Sequence, residues 1–211
     1  MARLAAIKQR AVIAVAVAVW IPAVAYGFTV LLRYSTTPGQ PAKPPITWPA
    51  NAFVERGKHP MLVMFAHPQC PCTRASVGEL ALLMAHASGG LDADVFFYRP
   101  AGMDSAWVQN DLWRSASSIP GVRVHEDPEA AAARTFGAFT SGQTLLYAAD
   151  GRLLFKGGIT GFRGHSGDNA GRGAIGALLH SIAGEHGGQP LPWPNLLPIT
   201  TPVLGCNLRG E

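Results

Sequence analysis

The chain has 211 residues, 48% of them hydrophobic, and a formal net charge of +4. That length holds one ordinary domain plus an appendage, with enough apolar material for a core that needs no disulfide staples. Four of the 17 basic side chains (Arg3, Lys8, Arg10, Arg33) fall in residues 1–33, which contain no acid, and the other 13 balance the 13 acids of residues 34–211; with no basic field and no basic–aromatic interleaving, nucleic acid is excluded as a partner.

Residues 1–10 are basic. Residues 11–32 (Ala11 to Leu32) then run for 22 residues without a charge. At 1.5 Å per residue they reach about 30 Å, the depth of a bilayer core. The basic residues lie mainly before this stretch, so residues 1–10 are expected in the cytoplasm, 11–33 in the membrane and the rest outside. Ala23-Val24-Ala25 also fits a signal-peptide cleavage site. The apolar run continues past it through Phe28 to Leu32, which favours a retained anchor. Either reading exports residues 34–211, where thiols can persist as disulfides.

Residues 34–50 read as a semi-rigid linker, with Pro38, Pro41, Pro44, Pro45 and Pro49 among Ser, Thr and Gly. A globular domain is expected over 51–185. Its predicted elements are a strand at Met61–Ala66, a helix at Pro71–Ser88 stopped by Gly89-Gly90, and a strand at Ala93–Tyr98. A helix capped by Asp104 follows to Ser118, then a short strand at Val122–His125. Asp127-Pro128-Glu129 signals a helix start with proline at its first position, running to Gly137. Thr144–Tyr147 and Leu153–Phe155 flank Ala148-Ala149-Asp150-Gly151, a hairpin turn, and residues 169–184 form a last helix. This alternation predicts an α/β fold, a mixed sheet flanked by helices. The glycine-rich loop of residues 157–172 lacks the Gly-Lys-Ser/Thr end of a phosphate loop. Asp168 or Asn169 caps the last helix, and Arg163 and His165 are candidates for a substrate surface. The tail, residues 186–211, is proline-rich (Pro190, Pro192, Pro194, Pro198, Pro202) and carries Cys206 near its end.

The chemistry is concentrated at Cys70-Pro71-Cys72, which holds two of the three cysteines. An apolar strand ends there and a helix begins at once. The free N–H groups and positive dipole end of a helix N-terminus favour thiolate over thiol. Cys70 is the expected attacking thiol and Cys72 the expected resolving thiol. A Cys-x-Cys disulfide closes a small ring at the edge of acceptable disulfide geometry, which makes it easier to reduce. Pro71 stiffens that loop. His67, three residues before, is a candidate base or thiolate stabiliser, and Arg74 a candidate positive charge. Cys206, on an extended arm, is a second candidate resolving thiol.

The order of these elements and the cysteine position resemble the thioredoxin fold over about residues 50–185. A strand ending Phe-x-x-x-x-Cys is matched by Phe65 and Cys70. The stretch from Gln143 through Asp150-Gly151 is similar to the family's hairpin. The nearest resemblance is to bacterial membrane-tethered thiol:disulfide interchange proteins of the redoxin group, RedB-like. It implies a thioredoxin-like mixed sheet behind one transmembrane helix, in the bacterial inner membrane with the domain facing the periplasm. It also implies thiol–disulfide exchange with protein thiol or disulfide substrates or a membrane electron donor, and no cofactor. Two positions depart from the pattern. Thr73 stands where the second cysteine of Cys-x-x-Cys would be, and Gly142, just before Gln143, stands where the family has a cis-proline. Two other activities follow from the same residues. Cys70, Cys72 and His67, with Cys206 as a further ligand, form a candidate Cu(I) set. Peroxide-reducing relatives carry Thr-x-x-Cys, and here the first position is His67.

Overall fold

The computed structural model describes residues 2–184 and 197–209. The chain divides into two units, Met1–Thr37 and Pro38–Glu211.

The first unit is one helix, α1 (Ala2–Thr36), with Pro22 inside it. Its segment Ile7–Thr36 has a mean hydropathy of 2.2 and is long and apolar enough to cross a membrane or to serve as a signal sequence. The side chains described there face outward, as an apolar helix without a protein core requires.

The second unit is built on a six-stranded sheet. Strand β1 (Met61–Ala66) leads into α2 (Pro71–Ala87), and β2 (Asp92–Arg99) returns parallel to β1. Two short helices follow, α3 (Ser105–Val108) and α4 (Asp111–Ser117), then β3 (Val122–Pro128), parallel to β2, and α5 (Ala131–Thr135). The hairpin β4 (Gln143–Tyr147) and β5 (Leu153–Gly157) joins β1 antiparallel on its other side. Helix α6 (Ala170–Gly184) and a two-residue strand β6 (Ile199–Thr200), parallel to β5, complete the order β3-β2-β1-β4-β5-β6. This is the mixed, thioredoxin-like sheet with a preceding apolar helix that the resemblance implied.

β1 lies in the middle and every one of its residues is buried. Its side chains alternate between two cores, as strand geometry dictates. Leu62, Met64 and Ala66 join Leu80, Phe97 and Ile175 on one face. Met61, Val63 and Phe65 join Phe96, Phe136 and Tyr147 on the other. A strand buried on both faces reads as a continuous apolar run, which is why this segment was conspicuous in the sequence.

Three predicted elements differ. The helix expected from Asp104 to Ser118 is broken in two, because Asn110 caps a second start by accepting from the amides of Leu112 and Trp113. The helix expected at Pro128 begins later. Residues 122–128 extend the sheet beside β2, and Asp127 caps α5 from the strand end by accepting from the amides of Ala132 and Ala133. The proline-rich stretch expected as a spacer is bonded to the domain from Gly39 onward. Lys43 N–H donates to Gly137, Trp48 N–H to Gly151, and the Tyr147 hydroxyl to the carbonyl of Pro45. Prolines lack the donor, but their carbonyls still accept. Within the tail, Pro190, Pro192 and Pro194 lie outside the described residues.

Candidate functional site: three thiols at the end of the central strand

The register of the sheet sets the site. Phe65 pairs with Gln143, so the C-terminal end of β1 meets the N-terminal end of β4. The Gly142 N–H donates to the Phe65 carbonyl at 2.8 Å. Beyond Ala66 the chain turns at once into α2, with Cys70 as its N-cap in extended conformation and Pro71 at the first helical position. Proline suits that position because its missing N–H would be unpaired there anyway.

Thr73, at the place of the expected second cysteine, is fully buried and holds the turn together. Its hydroxyl donates to the His67 carbonyl at 2.9 Å. Ser141 Oγ accepts from the His67 amide at 2.9 Å and lies 2.9 Å from Thr73 Oγ1. With the Thr73 proton already committed, Ser141 donates to Thr73. Thr73 and Ser141 thus clamp the β1–α2 turn to the β4 approach. Sequence reading passed over Ser141, since an isolated serine in a loop carries no pattern.

Gly142 has φ +86°, and a Cβ there would lie 2.8 Å from Ser76 Oγ. Glycine therefore fills a left-handed, closely approached position. Among the described residues no peptide bond is cis. Gln143 is buried and donates to the carbonyls of Thr144 and Gly157. Its position supports the strand start rather than the sulfurs.

The third cysteine arrives from the far end of the chain. Residues 205–208 lie antiparallel to 139–141. Ser141 N–H donates to the Cys206 carbonyl at 2.8 Å, Leu208 N–H donates to the Phe139 carbonyl at 2.9 Å, and Thr140 pairs with Asn207. The result is one cluster: the sulfurs of Cys70, Cys72 and Cys206 all lie within 4.8 Å of one another. All three are free thiols.

Their ionisation differs. Burial raises the Cys70 thiol, but the Cys206 thiol and the amides of Cys206, Cys72 and Thr73 outweigh it and bring its pKa below the ordinary 9.0. Burial, then the Cys70 charge, raise Cys72. Burial, then the bond to and charge of Cys70, push Cys206 up to about 12. Of the three thiols, Cys70 therefore gives up its proton most readily.

The flanking candidates fall in different places. His67 sits between Tyr98 and Trp107, with ring centroids 5.7 and 5.8 Å away, and its Nδ1 accepts from the Gln69 amide at 3.2 Å. Burial lowers its pKa below 6.5, so the ring is neutral at pH 7 and supplies no cationic help to a thiolate. It is not part of the sulfur cluster, whose third member is Cys206. Arg74 pairs with Asp111 at 2.5 Å on the surface instead of facing the thiols. The cation near the sulfurs is Arg163, which donates to the Gly205 carbonyl at 2.7 Å and whose charge favours the thiolates of Cys72 and Cys206. The loop carrying Arg163 is anchored by Glu79 of α2. This fully buried carboxylate accepts from the Gly167 amide and the Asn169 side chain and pairs with Arg172 at 2.7 Å.

No protein-family model and no curated protein matches the chain. Among solved structures, a hypothetical protein from Sinorhizobium meliloti is 20% identical, covering 84% of this chain and 96% of its own, with a TM-score of 0.53. An uncharacterized conserved protein from Geobacillus kaustophilus is 15% identical over 84% of this chain and 95% of its own, with a TM-score of 0.54. A secreted disulfide oxidoreductase of Mycobacterium tuberculosis is 14% identical, covers 59% of this chain and 82% of its own, and has a TM-score of 0.43. At these identities the likeness is one of fold. The described residues from 38 onward form a domain of thioredoxin-like fold, with three cysteine sulfurs gathered at the C-terminal end of its central strand.

Proposed function

We propose that this protein is a membrane-anchored thiol–disulfide oxidoreductase whose domain faces the periplasm and whose redox centre is Cys70-Pro71-Cys72. The observation that carries the reading is the sulfur cluster, in which one thiol has a lowered pKa and two further thiols lie within 4.8 Å. Such an arrangement supplies an attacking thiolate and a nearby resolving group.

In the reducing direction the Cys70 thiolate attacks one sulfur of a substrate disulfide. The substrate S–S bond breaks, a Cys70–substrate bond forms, and the leaving thiolate takes a proton from water. A second protein thiolate then attacks Cys70 Sγ and releases the other substrate thiol. Two electrons have passed to the substrate, and the protein holds one disulfide and one remaining thiol. A dithiol donor, from a protein or a membrane carrier, reverses that change. Cys72 is the resolving group in this scheme and Cys206 its competitor.

Trapping separates the roles. Cys72→Ser is expected to accumulate covalent complexes with substrate through Cys70, seen as bands lost on reduction, and Cys70→Ser to accumulate none. If Cys206 is the resolving group, Cys206→Ser accumulates the complex instead. Full disulfide-reduction activity in Cys70→Ser would overturn the assignment. The anchor is tested by fractionation with an N-terminal sequence read: a soluble form beginning at Tyr26 would show a cleaved signal.

A second reading is supported by the same cluster. Three thiols at this spacing suit a soft ion such as Cu(I), with Cys206 in place of the His67 expected from sequence. Titration with Cu(I) distinguishes it: a tight 1:1 complex abolished by Cys70→Ser, with no trapped disulfide complexes in Cys72→Ser, would favour copper handling.

A further inference from the structure

The arm that delivers Cys206 also covers the thiol it approaches. Cys70 is 3% exposed and Cys72 6%, while Cys206 is only partly buried. A disulfide on another molecule must bring a sulfur into contact with Cys70 Sγ, and Cys206, whose thiol and amide bond to Cys70, stands beside it.

The way the arm is held is informative. It adds to the chain as a short strand, through two main-chain bonds to Phe139 and Ser141. Its side chains alternate, as in any extended segment. Cys206 faces the sulfurs, Asn207 is exposed, and Leu208 is 1% exposed in the core that contains Phe65, Phe136 and Tyr147. Before the cysteine only glycine fits, since a Cβ on Gly205 would lie 1.9 Å from the Ser141 carbonyl oxygen. Arg163 donates to the Gly205 carbonyl. These are the features of a peptide-recognition groove: a backbone edge, one apolar pocket, one reactive position and one position restricted to the smallest residue.

We propose that residues 205–208 are a tethered occupant of a strand-docking groove, and that an extended, cysteine-bearing polypeptide takes their place when it exchanges with Cys70. The incoming chain bonds to the backbone of residues 139–141. Its cysteine sits where Cys206 sits, a glycine precedes it, and an apolar side chain two residues later fills the Leu208 pocket. The identity of the substrate rests on the thiol-exchange reading above; the exchangeable docking of the arm does not. Displacement carries Cys206 away from Cys70, which leaves Cys72 as the resolving group for such substrates.

The test reads access to Cys70 without any turnover. The full chain is alkylated with iodoacetamide across a pH series, and modification at Cys70 is followed by tandem mass spectrometry. The alkaline plateau reports access, while the midpoint reports ionisation. Leu208→Ala and Gly205→Ala loosen the arm without altering a thiol. Each is expected to raise the plateau about tenfold or more, the scale set by losing a fully buried anchor from a locally opening segment. A peptide of residues 203–209 with Ser in place of Cys206, added to Gly205→Ala, is expected to restore protection. Unchanged plateaus in both variants, or no protection by the peptide at millimolar concentration, overturn the proposal. Hydrogen exchange on the unaltered chain gives an answer even if both variants unfold. The amides of Ser141 and Leu208 are expected to exchange faster than those of β1 through local opening, and exchange only with global unfolding overturns it. Protection that behaves as expected alongside an absence of any disulfide-exchange activity would remove the functional reading and leave the docking groove standing.

Discussion

The N-terminus of α2 and the C-terminal arm place the same residue type at one site and give it opposite character. Cys70 is brought below its ordinary pKa although it is the most buried of the three, whereas Cys206 is pushed up to about 12. Burial opposes the charge in both. The difference lies in donors: Cys70 is surrounded by amide N–H groups and a thiol proton, while Cys206 faces the negative charge of Cys70. Depth therefore does not rank thiols by reactivity here; the direction of neighbouring dipoles does.

Glu79 offers the strongest way to break this contrast, because it ties α2 to the loop that brings Arg163 to the arm. Glu79→Ala leaves Arg172 without its buried partner and the Gly167 amide without an acceptor. A loss of about 3–5 kcal/mol is expected, the scale for halving a buried ion pair, and urea unfolding measures it. Gly142 lies between the two regions. Gly142→Ala places a Cβ 2.8 Å from Ser76 Oγ at φ +86°, and a loss of about 1–3 kcal/mol is expected in the same measurement. If its stability instead matched the parent chain, the close approach of β4 to α2 would not be required.

The contrast is sharpened by pH. A thiol with a lowered pKa keeps its thiolate as pH falls, so Cys70 alkylation is expected to hold below pH 9 and to decline only through its own, lower midpoint. Cys206→Ala removes the thiol donor, and the midpoint is expected to move upward. A midpoint that stays in place would show that the main-chain amides of Cys206, Cys72 and Thr73 suffice to stabilise the thiolate. The smallest effect belongs to Arg74→Ala. Its exposed pair with Asp111 is expected to contribute little to stability, and the Cys70 midpoint is expected to stay where it is. A shift there would restore Arg74 to the role expected from sequence.

Local pattern made much of this molecule legible. Period and composition marked the apolar helix, the doubly buried β1, the hairpin around Asp150-Gly151 and the reactive pair at a strand-to-helix junction. Each is decided within a few residues, where side-chain period and turn chemistry act directly. The misses have different causes. The Asp104–Ser118 helix was interrupted because Asn110 found capping amides, and Asp127 capped α5 from a strand whose partner residues in β2 lie 29 positions earlier in sequence. Ser141 and the mate of Glu79 carried no local signature at all, and Arg163 was expected at a substrate surface rather than beside the sulfurs.

By itself, then, the sequence determined which cysteines sit on a helix N-terminus and that a third existed on a proline-rich arm, because helix starts and proline breaks are local. Only the tertiary structure decided that Cys206 reaches Cys70, that Thr73 is a clamp, and that Arg163 rather than Arg74 is the nearby cation. Those choices depend on the β1–β4 register and on main-chain bonds between residues 139–141 and 206–208. Contacts across such separations are set by packing of the whole sheet, and no window of neighbouring residues encodes them.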